Sequence, residues 1–244
     1  GRDVRSSGSY SRLALQCAWH IENPRLWKKY ELELAYIAEK IGKGKRKLAV
    51  PRLATPASES VHETLSGLPG LLSADANEAF LLHGTKPELL LTVLENGLDS
   101  RWSGGLFGQG SYFAADAGKT DQYVTVDAAP GDPKLRDLHA RLYRRGGGVD
   151  HPGEVLYVFV CRVILGVFLR TDSGVAGATD LDNKKPIWAT AGRTELAAMP
   201  NVKPPTPYHS LVAELGGDIL RYREFVQFHE ARIYPEYLLA YQRR

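Results

Sequence analysis

The sequence predicts an α+β fold, on three observations. From Ala79 onward, short apolar runs alternate with glycine-rich turns. Segments of strand character outnumber those of helix character, and they do not alternate as strand, helix, strand in the manner of a parallel doubly wound sheet. No internal repeat is visible.

Each element follows from local pattern. Leu13, Leu15, Cys17, Trp19 and Ile21 alternate with more polar positions, the period of a half-buried strand. Asn23 is a good N-cap and Pro24 a good first helical residue. Leu26, Trp27, Tyr30, Leu34, Ile37, Ala38 and Ile41 then recur at helical spacing until Gly42. The basic run Lys43 to Lys47 and the aperiodic stretch to about Asp75 read as a surface connection, with contact to nucleic acid or an acidic partner left open. Phe80 to His83 reads as a strand, Pro87 to Asn96 as a helix closed by Gly97, Ser111 to Ala114 as a strand and Ala115 to Val124 as a helix. Further strands are expected around Val155 to Cys161, Val163 to Leu169, Arg221 to His229 and Tyr234 to Tyr241.

Composition bounds the function. A chain of 244 residues suffices for one substantial core, and 43% apolar with 24% charged residues excludes wholesale disorder, collagen-like repeats and coiled coil. Lys plus Arg exceeds Asp plus Glu by 31 to 28, a surplus of +3 that is too small to mark a dedicated nucleic-acid binder. Two cysteines, Cys17 and Cys161, make neither a disulfide framework nor a Cys-x-x-Cys zinc site, so a reducing intracellular compartment, cytoplasmic or nuclear, is expected. The most apolar stretch, Val155 to Leu169, carries Arg162 and is shorter than the about 20 residues a bilayer needs, so no membrane association is expected. The N-terminus has neither a signal-peptide core nor an initiator Met, as in a piece of a longer chain.

Several familiar motifs fail on inspection. Gly118-Lys119-Thr120 resembles the end of a phosphate-binding loop, but Phe113 stands where its first glycine belongs. The same Phe113 replaces the third glycine of a dinucleotide turn starting at Gly108. His62-Glu63 and His229-Glu230 lack the second histidine of a zinc-protease helix, and no Gly-x-Ser-x-Gly elbow occurs. No metal is expected from these patterns.

Three separated blocks make chemical sense together. They are Leu82-His83-Gly84-Thr85, then Gly105 to Ala114 with Lys119-Thr-Asp-Gln-Tyr123, then Tyr222-Arg-Glu-Phe225. In this order they resemble the catalytic domain of the poly(ADP-ribose) polymerase family, over about Ala79 to Tyr241. The tankyrase branch is nearest in pattern, through Gly118-Lys-Thr-Asp-Gln-Tyr-Val124, Cys161-Arg-Val-Ile-Leu-Gly166 and Tyr234-Pro-Glu-Tyr-Leu-Leu-Ala-Tyr-Gln242. The segment Ile21 to Tyr30 looks like the lead-in of members without a regulatory helical domain. The resemblance implies an ADP-ribosyltransferase fold, two mainly antiparallel β-sheets forming an NAD+ cleft with flanking helices. Residues 1–74 would form an N-terminal strand–helix segment and linker packed on a catalytic core of residues 75–244.

It also implies roles. Tyr112 and Tyr123 would flank the nicotinamide ring, Gly84 would offer its backbone and Thr120 its hydroxyl to the carboxamide, and His83 would bind a ribose hydroxyl. Thr85 and Arg101 would contact the adenosine and diphosphate part, with Lys119 also in the NAD+ site. Glu224 would bind the 2′-hydroxyl of the nicotinamide ribose and stabilise an oxocarbenium-like state. Taken singly, each residue has a plainer reading: a core histidine, packing aromatics, a solvent-facing strand carboxylate. Taken jointly, they favour a catalytic His83, Tyr112 and Glu224. Glu230 and Glu236 compete for the carboxylate role, but only Glu224 stands at the family's position.

The expected activity is transfer of ADP-ribose from NAD+, consumed as a substrate, to protein side chains, this chain's own among them, as one unit or as polymer. Rival readings are a nucleic-acid acceptor and a non-catalytic module that binds NAD+ or ADP-ribose. The Cys/His zinc site of tankyrases is expected to be missing, because Lys134 to Pro152 holds His139 and His151 but no cysteine. The stretch Asp172 to Pro207 has little counterpart and is expected to shape the acceptor side.

Overall fold

The computed structural model of the chain describes residues 10–42, 68, 70–100, 103–144 and 149–244, so the run Lys43 to Lys47 and the His62-Glu63 pair lie outside the described residues. Its main elements are β1 (Leu13–His20), α1 (Pro24–Gly42), β2 (Glu78–Gly84), α2 (Leu90–Asn96), β3 (Ser111–Phe113), α3 (Ala117–Thr120), α4 (Arg136–His139), β4 (Leu156–Ile164), β5 (Phe168–Thr171), β6 (Ser210–Ala213), β7 (Glu224–Gln227) and β8 (Ile233–Arg243). They form two four-stranded sheets. The first, in order β1-β8-β4-β2, is antiparallel throughout, and the second, β3-β7-β6-β5, is antiparallel except for the β5–β6 pair.

The N-terminal elements are tied into the first sheet. Asn23 Oδ1 accepts from the Leu26 N–H at 3.2 Å, as its N-cap position predicts, while its Nδ2 donates to the Leu94 carbonyl at 2.9 Å and joins α1 to α2. The apolar stripe Leu26, Tyr30, Ile37 and Ile41 packs on Ile164, Val167 and Tyr234.

β4 shows no polar alternation because both its faces are covered. Tyr157, Phe159, Cys161 and Val163 share one core with Leu81, Phe113 and Phe225, while Leu156, Val158 and Val160 pack with Phe80 and Leu82 on the other face. The strands expected as Val155 to Cys161 and Val163 to Leu169 divide differently: β4 runs through Arg162, and the break falls at Gly166. Arg162 can sit inside the strand because Glu236 pairs with its guanidinium and Glu78 Oε1 lies 3.1 Å from its Nη1. Tyr30 Oη in turn donates to Glu78 at 2.7 Å. Gly166 has φ +57°, and a Cβ there would come 2.4 Å from His209 Nδ1, so only glycine lets the chain cross from one sheet to the other at this point.

Two other boundaries also move. The helix expected from Ala115 to Val124 shrinks to α3, capped by Asp116, whose carboxylate accepts from the Gly118 N–H at 2.7 Å. It stops there because Asp121 is drawn to the far end of β8, accepting from Tyr241 Oη at 2.8 Å and Arg243 Nε at 3.0 Å. The strand expected from Arg221 to His229 is only β7. Arg223 is held by Glu214 at 2.7 Å, and Tyr222, within the strand expected there, packs its hydroxyl against Gly118. The stretch 172–207 contributes Ala178, Ile187 and Leu196 to a core on the second sheet with Leu211 and Val226.

At the crossover, His209 Nδ1 accepts from the Val167 N–H at 2.9 Å, and burial together with the nearby Arg232 pushes its pKa down to about 4 from the ordinary 6.5. A folded-state value below the unfolded one stabilises the native state above pH 6.5 and is lost as the pH falls toward 4. Urea unfolding across that window is expected to show a loss on the order of 3 kcal/mol in the parent that His209→Gln lacks. Equal slopes in the two proteins would refute the assignment.

Candidate active site

A cleft of about 330 Å³ opens where the two sheets diverge, lined by residues of β2, β3, α3 and β7. The sheets are joined at an isolated bridge, in which Leu82 N–H donates to the Ala114 carbonyl at 2.8 Å and Ala114 N–H returns a bond to Leu82 at 3.0 Å. Backbone polar groups in a strand point to alternate sides with a period of two, so Gly84 directs its N–H and C=O along the same edge as Leu82. Beyond the bridge, that edge faces the cleft, and Gly84 lines it. A Cβ on Gly84 would lie 2.5 Å from the Thr120 carbonyl oxygen, so the close approach of β2 to α3 requires glycine here.

His83 is held from β3. Its Nδ1 lies 2.9 Å from the Tyr112 carbonyl, and because a carbonyl only accepts, Nδ1 carries the proton and Nε2 is left as an acceptor. Burial lowers the His83 pKa, outweighing the Tyr112 contact, and favours the neutral ring. Tyr112 is fixed by its hydroxyl, which donates to the Gly108 carbonyl at 2.8 Å and accepts from the Phe107 N–H at 2.9 Å. Burial raises its pKa, so the phenol stays protonated. Gly105 approaches so closely that a Cβ would be 2.8 Å from the Tyr112 ring.

Glu224 opens β7 and reaches the cleft from the second sheet. Its Oε1 lies 2.9 Å from Lys119 Nζ, and at 12% and 6% exposure the pair is largely removed from solvent. Lys119 also sits 5.4 Å from the centre of the Tyr123 ring, which stands half open at 42% exposure. Thr120 Oγ1 donates to the Ala117 carbonyl at 2.9 Å and keeps its lone pairs as acceptors.

The structure therefore brings His83, Gly84, Tyr112, Lys119, Thr120, Tyr123 and Glu224 to one cleft. Thr85 is buried at the end of β2 and does not line it, and Arg101 lies outside the described residues. Glu230 faces Lys29 on the surface, and Glu236 is committed to Arg162, so neither reaches the cleft. Three lining residues fall outside the blocks read from the sequence, Gly104, Asp218 and Ile219. Asp218 accepts from the Gly174 N–H at 2.9 Å and Ser173 Oγ at 2.8 Å, which hold its carboxyl below the usual range. The one cue was the Gly216-Gly217 turn before it. The stretch 172–207 clamps the loop above the cleft, with Arg193 Nη1 donating to the carbonyls of Leu106 at 3.2 Å and Gly174 at 2.8 Å.

Two mainly antiparallel sheets that meet at such a bridge and line one cleft are consistent with the ADP-ribosyltransferase class of α+β folds. The sequence signature of the poly(ADP-ribose) polymerase (PARP) catalytic domain matches residues 9–243, and the chain belongs to that family. The match takes in β1 and α1 as well as the cleft-forming strands. PARP catalytic domains use NAD+ as a substrate. Among the described residues, no helix is long and apolar enough to cross a membrane.

The tight fit at Gly84 is open to test. Gly84→Ala is expected to destabilise the fold by about 1–3 kcal/mol in urea unfolding, the cost of relieving the overlap with the Thr120 carbonyl. Unchanged stability would mean that β2 and α3 can part without cost.

Proposed function

We propose that the chain is an active, tankyrase-like transferase of the His-Tyr-Glu type that moves ADP-ribose from NAD+ onto protein side chains, its own included. The observation that carries this reading is the meeting of Glu224, His83 and Tyr112 in one cleft, with Glu224 paired to a buried lysine. Nicotinamide, flat and amide-bearing, would stack between Tyr112 and Tyr123, with its carboxamide on the backbone of Gly84 and the hydroxyl of Thr120. The free Nε2 of His83 would accept from a ribose hydroxyl.

In the reaction, the bond between ribose and nicotinamide breaks and its electron pair leaves on the ring nitrogen, which loses its positive charge. The acceptor's nucleophile forms the new bond from the opposite face, inverting the carbon, and gives up its proton. Glu224, accepting from the 2′-hydroxyl, would stabilise the positive charge that grows on the sugar. Lys119 holds that carboxylate in position and supplies a cation beside it. The same carboxylate allows polymer growth by orienting an incoming ADP-ribose hydroxyl. A protein acceptor is preferred over nucleic acid because the net charge of +3 provides little attraction for a polyanion.

Intact-mass measurement after incubation with NAD+ tests the assignment. The parent is expected to gain mass in steps of one ADP-ribose, Glu224→Gln to react roughly a hundred- to a thousandfold more slowly, and Tyr112→Ala to be suppressed as well. Equal labelling of all three proteins would refute the residue roles, and labelling of DNA or RNA in preference to protein would refute the acceptor.

A further inference from the structure

We propose that Asp127, His139 and His151 form a binding site for one divalent transition-metal ion, of the class that zinc occupies, separate from the cleft. One ligand atom from each lies within 4.8 Å of the others. Asp127 Oδ2 is 2.8 Å from His139 Nε2 and 3.1 Å from His151 Nε2, and the three side chains are buried at 0%, 8% and 3% exposure. None of the three lines the NAD+ cleft.

The hydrogen-bond pattern calls for a cation here. His139 Nδ1 lies 3.2 Å from the Pro130 carbonyl, which can only accept, so the proton of a neutral ring sits on Nδ1. The Nε2 lone pair then faces a carboxylate oxygen at 2.8 Å, an arrangement that needs positive charge on or between the two atoms. A proton on Nε2 would serve that one contact. It would leave Asp127 Oδ1 buried without a hydrogen-bond partner, and His151 Nε2, 3.1 Å from Asp127 Oδ2, out of line for one. A metal ion engages all three groups together.

The surroundings suit coordination. His139 Nδ1–H to Pro130 is the outer hydrogen bond that orients a metal-bound imidazole, and Tyr157 Oη donates to Asp127 Oδ2 at 2.8 Å while bonding Tyr143 Oη at 2.8 Å. The His139 and His151 rings lie 4.7 Å apart, with Tyr143 packed on His151 at 4.7 Å. One contact must yield: His151 Nδ1 accepts from the Gly153 N–H at 3.0 Å, and ligation through Nε2 moves the ring proton to Nδ1. Gly153 stands at φ +71° with nothing near the place a Cβ would take, and its N–H would have to find another partner.

Two imidazole nitrogens and one carboxylate favour zinc, cobalt or nickel over magnesium or calcium, which prefer all-oxygen shells. A water molecule would complete four-coordination. The site is not the Cys/His zinc site of tankyrases, since no thiolate is present in this segment. Its role would be structural. Asp127 is bridged to Val155 beside β4 and follows Tyr123 closely in the chain, so the ion would fasten the excursion between them to the first sheet.

The test uses the whole chain, stripped with a chelator and titrated with Zn2+ by calorimetry, with Co2+ as a visible-absorption probe. One equivalent is expected to bind and to raise the thermal midpoint by several degrees. His139→Ala and His151→Ala are each expected to weaken binding at least about tenfold, while the exposed His20→Ala keeps it. Absence of binding in the parent, or parent-like affinity in both variants, would overturn the proposal. Should the variants fail to fold, histidine NMR of the parent decides: Zn2+ is expected to shift His139 and His151 and leave His83 and His209 unmoved, and unchanged His139 and His151 signals would overturn it.

Discussion

Two backbone hydrogen bonds between Leu82 and Ala114 hold the functional geometry together. They are the isolated bridge at which the edge strand of one sheet meets the edge of the other, and past it the strands part. Everything the cleft presents is placed relative to this point. His83 and Gly84 follow Leu82 on β2, Tyr112 precedes Ala114 on β3, and Glu224 arrives on β7, which pairs Phe225 with Phe113 and Val226 with Tyr112. The shared core of Leu81, Phe113, Phe159 and Phe225 keeps the sheets in contact behind the bridge, so the opening lies on one side only.

Buried charge is used in two ways. Arg162 with Glu78 and Glu236, and Arg223 with Glu214, each tie separate segments, and in both the charged groups face one another within the protein. Such pairs contribute little net stability, but removing one partner is strongly destabilising, so they define where strands lie. Lys119 and Glu224 are equally withdrawn from water yet line the cleft, where a substrate hydroxyl can share the carboxylate. The same contact thus serves as a structural tie before binding and as an electrostatic resource during it.

Much of this was legible in the amino-acid order, and the misses have physical causes. Helix α1 was readable because its cap, first-turn proline and apolar stripe are local signals. The helix expected after Ala115 overran because its end depends on Asp121 reaching β8, a partner over a hundred positions away. Two strands parted at Arg162 are expected from the apolar runs on either side, and β4 instead runs through that residue because Glu78 and Glu236 face it. Thr85 was grouped with the site by its neighbours, but the chain turns it into the interior. Asp218 and Ile219 were missed because a Gly-Gly turn reveals a bend and not its direction.

The amino-acid order alone determined the kinds of elements, the three chemistry-bearing blocks and the family they resemble, because those depend on residue type and short-range period. Only the tertiary structure decided that the blocks share a cleft, that Lys119 rather than solvent meets Glu224, and that Asp127, His139 and His151 converge. Those outcomes rest on strand pairing and on the burial of charge against distant partners, and neither leaves a trace in local spacing.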